Sequence, residues 1–239
     1  MSAPDHRIPG LPIAGALAGT AVLGYMLPAL AGALPALRAP LGVEDHTAGG
    51  SGYALTFDDG PHARGTPAVM KILQREQVSA TFFLVGEQVQ RNPALALEIV
   101  QAGHRIGLHC HRHRNLLRLS PWQVSQDIAR ALASIEDATG SSPSLYRPPY
   151  GVLNAAALAI ARSRGWRTLL WTHWGRDWEA RATPESITAR LTAAVGPGAV
   201  LLLHDADDYS APGSWIRTAA ALPGVLERLS EQGLQVSEA

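Results

Sequence analysis

From Tyr53 onward the chain alternates between apolar, strand-like runs and helix-like segments. YALTF, ATFFLV, HRIGLH, SLYR, RTLLWT and AVLLLH read as strands. Between them the capping and periodicity signals predict helices. One runs from Thr66 to Glu76 with Pro67 in its first turn, and one from about Pro93, behind an Asn92 cap, to Gly103. An amphipathic helix spans Ser120 to Thr139: Ser120 caps it, Pro121 starts it and Gly140 ends it. Asn154 caps a helix to Arg164, and further helices cover Pro184 to Val195 and Trp215 to Gln232. A last strand is expected at LQVS. Repeated β-then-α order predicts a parallel sheet with helices outside it. A run as apolar as AVLLLH fits a sheet covered on both faces. Two closures satisfy the pattern, an open doubly wound sheet or a barrel. In both, reactive groups belong on the loops after the carboxyl ends of the strands.

The part before Tyr53 is different. Between Arg7 and Arg38, residues 8–37 carry no charge, and the run is long enough to cross a bilayer. It reads first as a membrane anchor or uncleaved signal. A signal cleaved after the small-residue tail Ala31-Gly32-Ala33 comes second, and a buried apolar hairpin third. The Gly-rich stretch that follows reads as a linker. The expected division is a hydrophobic segment 1–40, a linker 41–52 and a folded domain 53–239.

Of the 239 residues 46% are hydrophobic, which suits one domain with a full core. Lys plus Arg equals Asp plus Glu, 20 each, so no net basic field calls for nucleic acid. The single cysteine, Cys110, rules out an intrachain disulfide and a Cys-based zinc motif.

The polar clusters fall at strand ends. Asp58 and Asp59 follow YALTF, His109, His111 and His113 follow HRIGL, and Arg147-Pro148-Pro149-Tyr150-Gly151 follows SLY. HWGRDW follows RTLLWT, and His204-Asp205 closes AVLLL. Parallel strands bring such ends to one face. Imidazole and carboxylate are good zinc ligands, and two His with one acid leave a position for water. His109 and His113 are four apart, which puts both on one side of a helical turn, with His111 pointing elsewhere. Of the adjacent aspartates, one can ligate a metal while the other stays free as a base. Arg147 is placed to hold the free carboxylate ionised. His204 is placed where a proton donor would face the same point. These groups together describe hydrolysis by a metal-activated water.

TFDDGP, HCHRH with RNL, RPPYG, RDW and LLLHD resemble the five motifs of the polysaccharide deacetylases, carbohydrate esterase family four or the NodB homology domain. They occur in family order from about Tyr53 to Val236. The resemblance implies an α/β fold, a distorted, incomplete (β/α)7 barrel, and removal of acetyl groups from N-acetylated sugars. It makes Asp58 the catalytic base, with Asp59, His109 and His113 as ligands of Zn2+ or another divalent metal such as Co2+. It makes His204 the catalytic acid and Arg147 the residue that orients Asp58. The Tyr150 backbone N–H would bind the oxyanion, and Leu202 with Trp178 would line the acetyl pocket.

The chain departs from the family pattern twice. Trp174 stands where an aspartate is usual, leaving Asp177 to tune His204, and Cys110 replaces a Ser or Thr. The implied activity is N-deacetylation of N-acetylglucosamine-containing polysaccharide or peptidoglycan. The alternatives are an O-acetyl esterase and a catalytically silent glycan-binding domain. The implied partner is an acetylated glycan outside the cytoplasm, with membrane association through residues 8–37 and no protein partner.

Overall fold

The computed structural model describes residues 22–47 and 52–239. Residues 8–21 of the apolar run lie outside the described residues. The remainder of that run forms short helical turns, including Leu30–Ala33 and Pro35–Leu37. Among the described residues no helix is long and apolar enough to cross a membrane. Ala31 is buried, and Gly32 sits so close to the Gly151 carbonyl that a Cβ there would lie 2.9 Å from the oxygen.

Among the described residues eight strands form one sheet in which every strand pairing is parallel. They are β1 (Val43–Glu44), β2 (Tyr53–Asp58), β3 (Thr81–Leu84), β4 (Arg105–Leu108), β5 (Leu145–Tyr146), β6 (Arg167–Leu169), β7 (His173–Trp174) and β8 (Ala199–His204). Their order is β1-β6-β5-β4-β3-β2-β8-β7. All six residues of β2 and all four of β3 are buried, as expected of strands covered on both sides.

Of the two closures left open by the sequence, the curled sheet is the incomplete barrel. RTLLWT, expected as one strand, breaks in two. Its first half is β6, which pairs with β5, and the chain beyond it resumes as β7, which pairs with β8. At the bend Leu170 N–H donates to the Glu44 carbonyl, whereas Thr172 N–H donates to that of Val200. One short segment therefore links both edges of the curl. The break has a side-chain cause, because the buried Arg147 guanidinium takes the Leu169 and Leu170 carbonyls at 2.9 and 3.0 Å. Successive carbonyls of a straight strand point to opposite sides, so two neighbours that reach one guanidinium require a bend. The segment read as a linker contributes β1, which lies beside β6. The expected final strand is reduced to a single bridge between Tyr53 and Val236.

The helices follow their signals closely. The longest, Pro121–Thr139, begins with a capping box in which Ser120 and Gln123 satisfy each other's backbone N–H, and it ends at Gly140 with φ 64°. Asn154 accepts from Ala157 N–H at the start of Ala155–Ser163. Pro184–Leu191 stops four residues early, before Ala194 turns to φ 53°. The short helix Gly86–Arg91 has no counterpart in the sequence reading. Gly86 is needed there, since a Cβ would press on the His111 ring and on the backbone of Ala131.

Candidate active site

At the carboxyl ends of the strands the chain encloses a cavity of about 210 Å³. It is lined by Asp58, Asp59, His109, His113, Tyr150, Leu202, His204, three tryptophans, Tyr209 and Ser210. Successive strand residues face opposite ways. Asp59 escapes that rule by leaving β2 with φ 81°, so both carboxylates reach the cavity. Asparagine and aspartate tolerate this region better than most residues. Gly60 is required next, because a Cβ there would collide with the Asp205 carboxylate.

Asp58 is buried and its Oδ1 accepts from Arg147 Nη1 at 2.7 Å. Arg147 is fully buried, with Thr56, two carbonyls and the Phe83 ring, 3.9 Å from its guanidinium carbon, fixing every side of its fork. Asp58 Oδ2 is left 3.8 Å from His109 Nε2.

Asp59, His109 and His113 form a group whose donor atoms lie within 4.8 Å of one another. Asp59 Oδ1 is 3.6 Å from His109 Nε2 and 3.4 Å from His113 Nε2. That oxygen is buried and has no hydrogen-bond partner among the described residues. Burial pushes the Asp59 carboxyl up to about 7, with the nearby Asp58 and Asp205 charges adding to it and His204 opposing. His109 Nδ1 lies 2.7 Å from the Arg147 carbonyl. A carbonyl only accepts, so Nδ1 carries the proton and Nε2 presents its lone pair to the group. Burial pushes His113 down to about 2, which keeps its ring neutral. Two neutral imidazoles and an orphaned buried carboxylate oxygen fit a divalent transition metal.

The expected helical turn between the two histidines is absent. Residues 109–113 form a bent loop in which Cys110 takes φ 63°. His111 does point elsewhere: it lines a separate cleft with Arg112 and Trp122, and its backbone N–H donates to Asp127 Oδ2 at 2.6 Å.

Across the cavity, His204 Nδ1 lies 3.0 Å from Asp177 Oδ1, and the His204 N–H donates to Asp177 Oδ2 at 2.7 Å. Thr218 Oγ1 donates to the same oxygen. Burial opposes the imidazolium, but the Asp177 charge and hydrogen bond outweigh it and raise His204 to about 10. The departure at Trp174 therefore leaves His204 with a carboxylate. Trp174 itself is 46% exposed on the rim, with its ring 5.4 Å from Trp178 and 6.0 Å from Trp171. Trp178 meets His204 edge-on at 5.4 Å. Tyr150 sits at φ 60° with its ring edge-on to His113, and Tyr209 stacks on the His113 ring at 4.6 Å.

Asp58, Asp59, His109, His113, Tyr150, Trp178, Leu202 and His204 line this cavity, and Arg147 and Asp177 lie directly behind it. Trp171, Tyr209 and Ser210 were not singled out. Tyr209 and Ser210 lie in the HDADDYSAPGSW loop, whose polarity gives no sign of which residue turns inward. A second cluster, His62, Asp207 and Asp208, is already engaged by the Gly65 N–H, the Gly213 N–H and Arg91 respectively.

The comparisons with known proteins agree with this geometry. The polysaccharide deacetylase family model matches residues 45–169. The peptidoglycan-N-acetylglucosamine deacetylase PgdA of Listeria monocytogenes is 35% identical over 182 residues, which cover 76% of this chain. The match spans only 36% of that longer protein. A chitooligosaccharide deacetylase of Bradyrhizobium is 33% identical over 189 residues, covering 76% of this chain and 86% of the relative. Among solved structures, a peptidoglycan N-acetylglucosamine deacetylase superposes with a TM-score of 0.75 at 27% identity, covering 82% of this chain and 89% of that one. Its curled parallel sheet, its converging strand-end motifs and these matches together show that the chain belongs to the polysaccharide deacetylase family.

Proposed function

We propose that this protein is a metal-dependent deacetylase that hydrolyses N-acetyl groups of N-acetylglucosamine units in a peptidoglycan- or chitin-like glycan. One observation carries the reading: the three-donor group of Asp59, His109 and His113 lies between a carboxylate clamped by a buried arginine and a histidine clamped by a buried aspartate. The catalytic domain is assigned to residues 53–239, with β1 added at its sheet edge. Asp59, His109 and His113 would hold zinc or another divalent metal such as cobalt. When bound, the metal supplies Lewis acidity that makes water nucleophilic near neutral pH and polarises the acetyl oxygen.

The chain's own residues do the rest. Asp58 Oδ2 takes the proton of the attacking water, while the hydrogen bond from Arg147 to Oδ1 fixes the orientation of the carboxylate. The Tyr150 backbone N–H donates to the oxygen that gains charge, and its left-handed conformation presents that N–H. Leu202 and Trp178 receive the acetyl methyl. His204 gives the sugar nitrogen a proton as the C–N bond breaks, so that acetate and free amine leave. Asp177 holds the His204 ring with Nδ1–H inward and Nε2–H toward the leaving nitrogen.

Asp177→Asn tests that last arrangement. His204 loses the group that raises its pKa, and a proton donor must be protonated to act. The alkaline limb of the pH–rate profile is therefore expected to move to lower pH. At neutral pH kcat is expected to fall about 100-fold. An unmoved limb would remove His204 as the acid.

The relatives' names speak of peptidoglycan and chitooligosaccharide, which supports a catalytic domain outside the cytoplasm. Residues 8–37 would act there as an anchor or signal, and the exposed Leu23, Leu27 and Leu30 support an apolar contact. The activity test is incubation of the full chain with chitin oligomers and peptidoglycan, reading acetate and free amine. Equal amounts of both are expected. Acetate without new amine would move the assignment to an O-acetyl esterase.

A further inference from the structure

Resting on the deacetylase reading, we propose that a cleft beside the catalytic cavity binds a carboxylate on a neighbouring sugar of the glycan. The cleft, of about 480 Å³, is lined by His113, Arg114, Asn115, Arg118, Leu119 and Tyr150. Its His113 and Tyr150 also line the catalytic cavity, so one chain of sugars can occupy both. Tyr150, 59% exposed, forms the ridge between them.

The lining holds two arginines and no Asp or Glu, and Arg114 is already paired with Asp127, so Arg118 supplies the cleft's unpaired positive charge among the described residues. One such charge suits a single anionic substituent, not a polyanion. Arg114 is fixed in place, its Nη2 held by Asp127 Oδ1 at 2.6 Å, while its Nε finds no acceptor among the described residues. Arg118 is exposed at the end of a short helical turn, Leu116–Arg118, that Asn115 caps through the Leu117 N–H at 3.0 Å. The planar guanidinium fork matches a carboxylate in two places. Glycans with the same acetylated sugar differ in this chemistry. Chitin oligomers are neutral, whereas the N-acetylmuramic acid of peptidoglycan offers a free lactyl carboxylate wherever the stem peptide that is amide-bonded to it has been removed. The cleft therefore favours peptide-free peptidoglycan strands over chitin.

The test compares three tetrasaccharides on the full chain. One alternates N-acetylglucosamine with N-acetylmuramic acid, the second is the same molecule with its carboxylates reduced to alcohols, and the third is chitotetraose. The carboxylated substrate is expected to exceed its reduced form by about tenfold in kcat/KM at low salt, the advantage shrinking as salt screens the pair. Arg118→Ala is expected to bring that ratio near unity, and Arg118→Lys to keep part of it. Arg118 is the cleaner variant because Arg114 also holds Asp127. A wild-type ratio near unity, or one that survives Arg118→Ala, overturns the proposal. Calorimetric titration of the chelator-treated full chain with the first two tetrasaccharides reads the same ratio without turnover. A protein that released no acetate yet bound the carboxylated form about tenfold tighter would overturn the deacetylase reading and keep the cleft.

Discussion

Asp58→Asn is expected to lower acetate release by about 10³-fold or more, because the amide cannot accept the proton that a carboxylate takes. The variant keeps an oxygen for Arg147 Nη1, now 2.7 Å from Asp58 Oδ1, so the side chain's position is preserved while its charge is not. The loss of charge also bears on stability. Arg147 is fully buried, and Asp58 is the carboxylate it contacts. An unpaired buried cation is costly, though Thr56 and the Leu169 and Leu170 carbonyls still accept from it. A destabilisation of about 2–4 kcal/mol is expected. Thermal unfolding and the rate should therefore be measured on the same sample, well below the melting temperature. A folded variant that kept a tenth of the activity would show that another group takes the proton. Retained glycan binding without turnover would separate catalysis from recognition and dispose of the purely binding reading.

Removing the metal is expected to abolish activity while leaving the fold intact. Asp59, His109 and His113 sit on loops beyond β2 and β4, and the core of apolar strands and helices does not depend on them. Chelation should therefore lower the rate by about 10³-fold with the circular dichroism spectrum unchanged at room temperature. Adding zinc to 100 times its dissociation constant should then stabilise the chain by about 2.7 kcal/mol, since only the folded protein gathers all three donors. For a chain of this size that is a rise in Tm of about 5–10 °C. His113→Ala should abolish the zinc-dependent rise. The Asp59 carboxyl gives this prediction its direction. Burial without a partner pushes it up to about 7, and a cation beside Oδ1 would let it ionise at its normal cost. Unfolding on chelation would instead make the metal structural. No rise in Tm with zinc or cobalt would remove the three residues as a metal site.

Much of the site was legible because its residues lie next to their strands in sequence. Asp58 ends β2 and Asp59 follows it, His109 follows β4, and His204 ends β8, so naming the strands located the groups. Parallel pairing then made their convergence a matter of geometry. The cap residues Ser120 and Asn154 were equally local signals, each satisfied within three residues. The same locality explains the failures. A helical turn from His109 to His113 was a reasonable reading of the spacing, but the loop obeys contacts from elsewhere, among them Asp127 to the His111 N–H, sixteen residues away.

By itself the sequence determined the alternation of the main strands and helices, the burial of the sheet on both faces and the set of polar residues at its carboxyl edge. Each of these depends on periodicity or capping within a few residues. Only the tertiary structure decided how the sheet curls, that RTLLWTHW breaks across both edges, that Asp177 reaches His204 despite Trp174, and that Arg114 and Arg118 open a cleft beside the site. Those outcomes rest on contacts between distant segments, such as Arg147 with Asp58, 89 residues apart, and Asp177 with Thr218, 41 apart. No local pattern encodes such pairs; they form only when the packed core fixes which loops face each other.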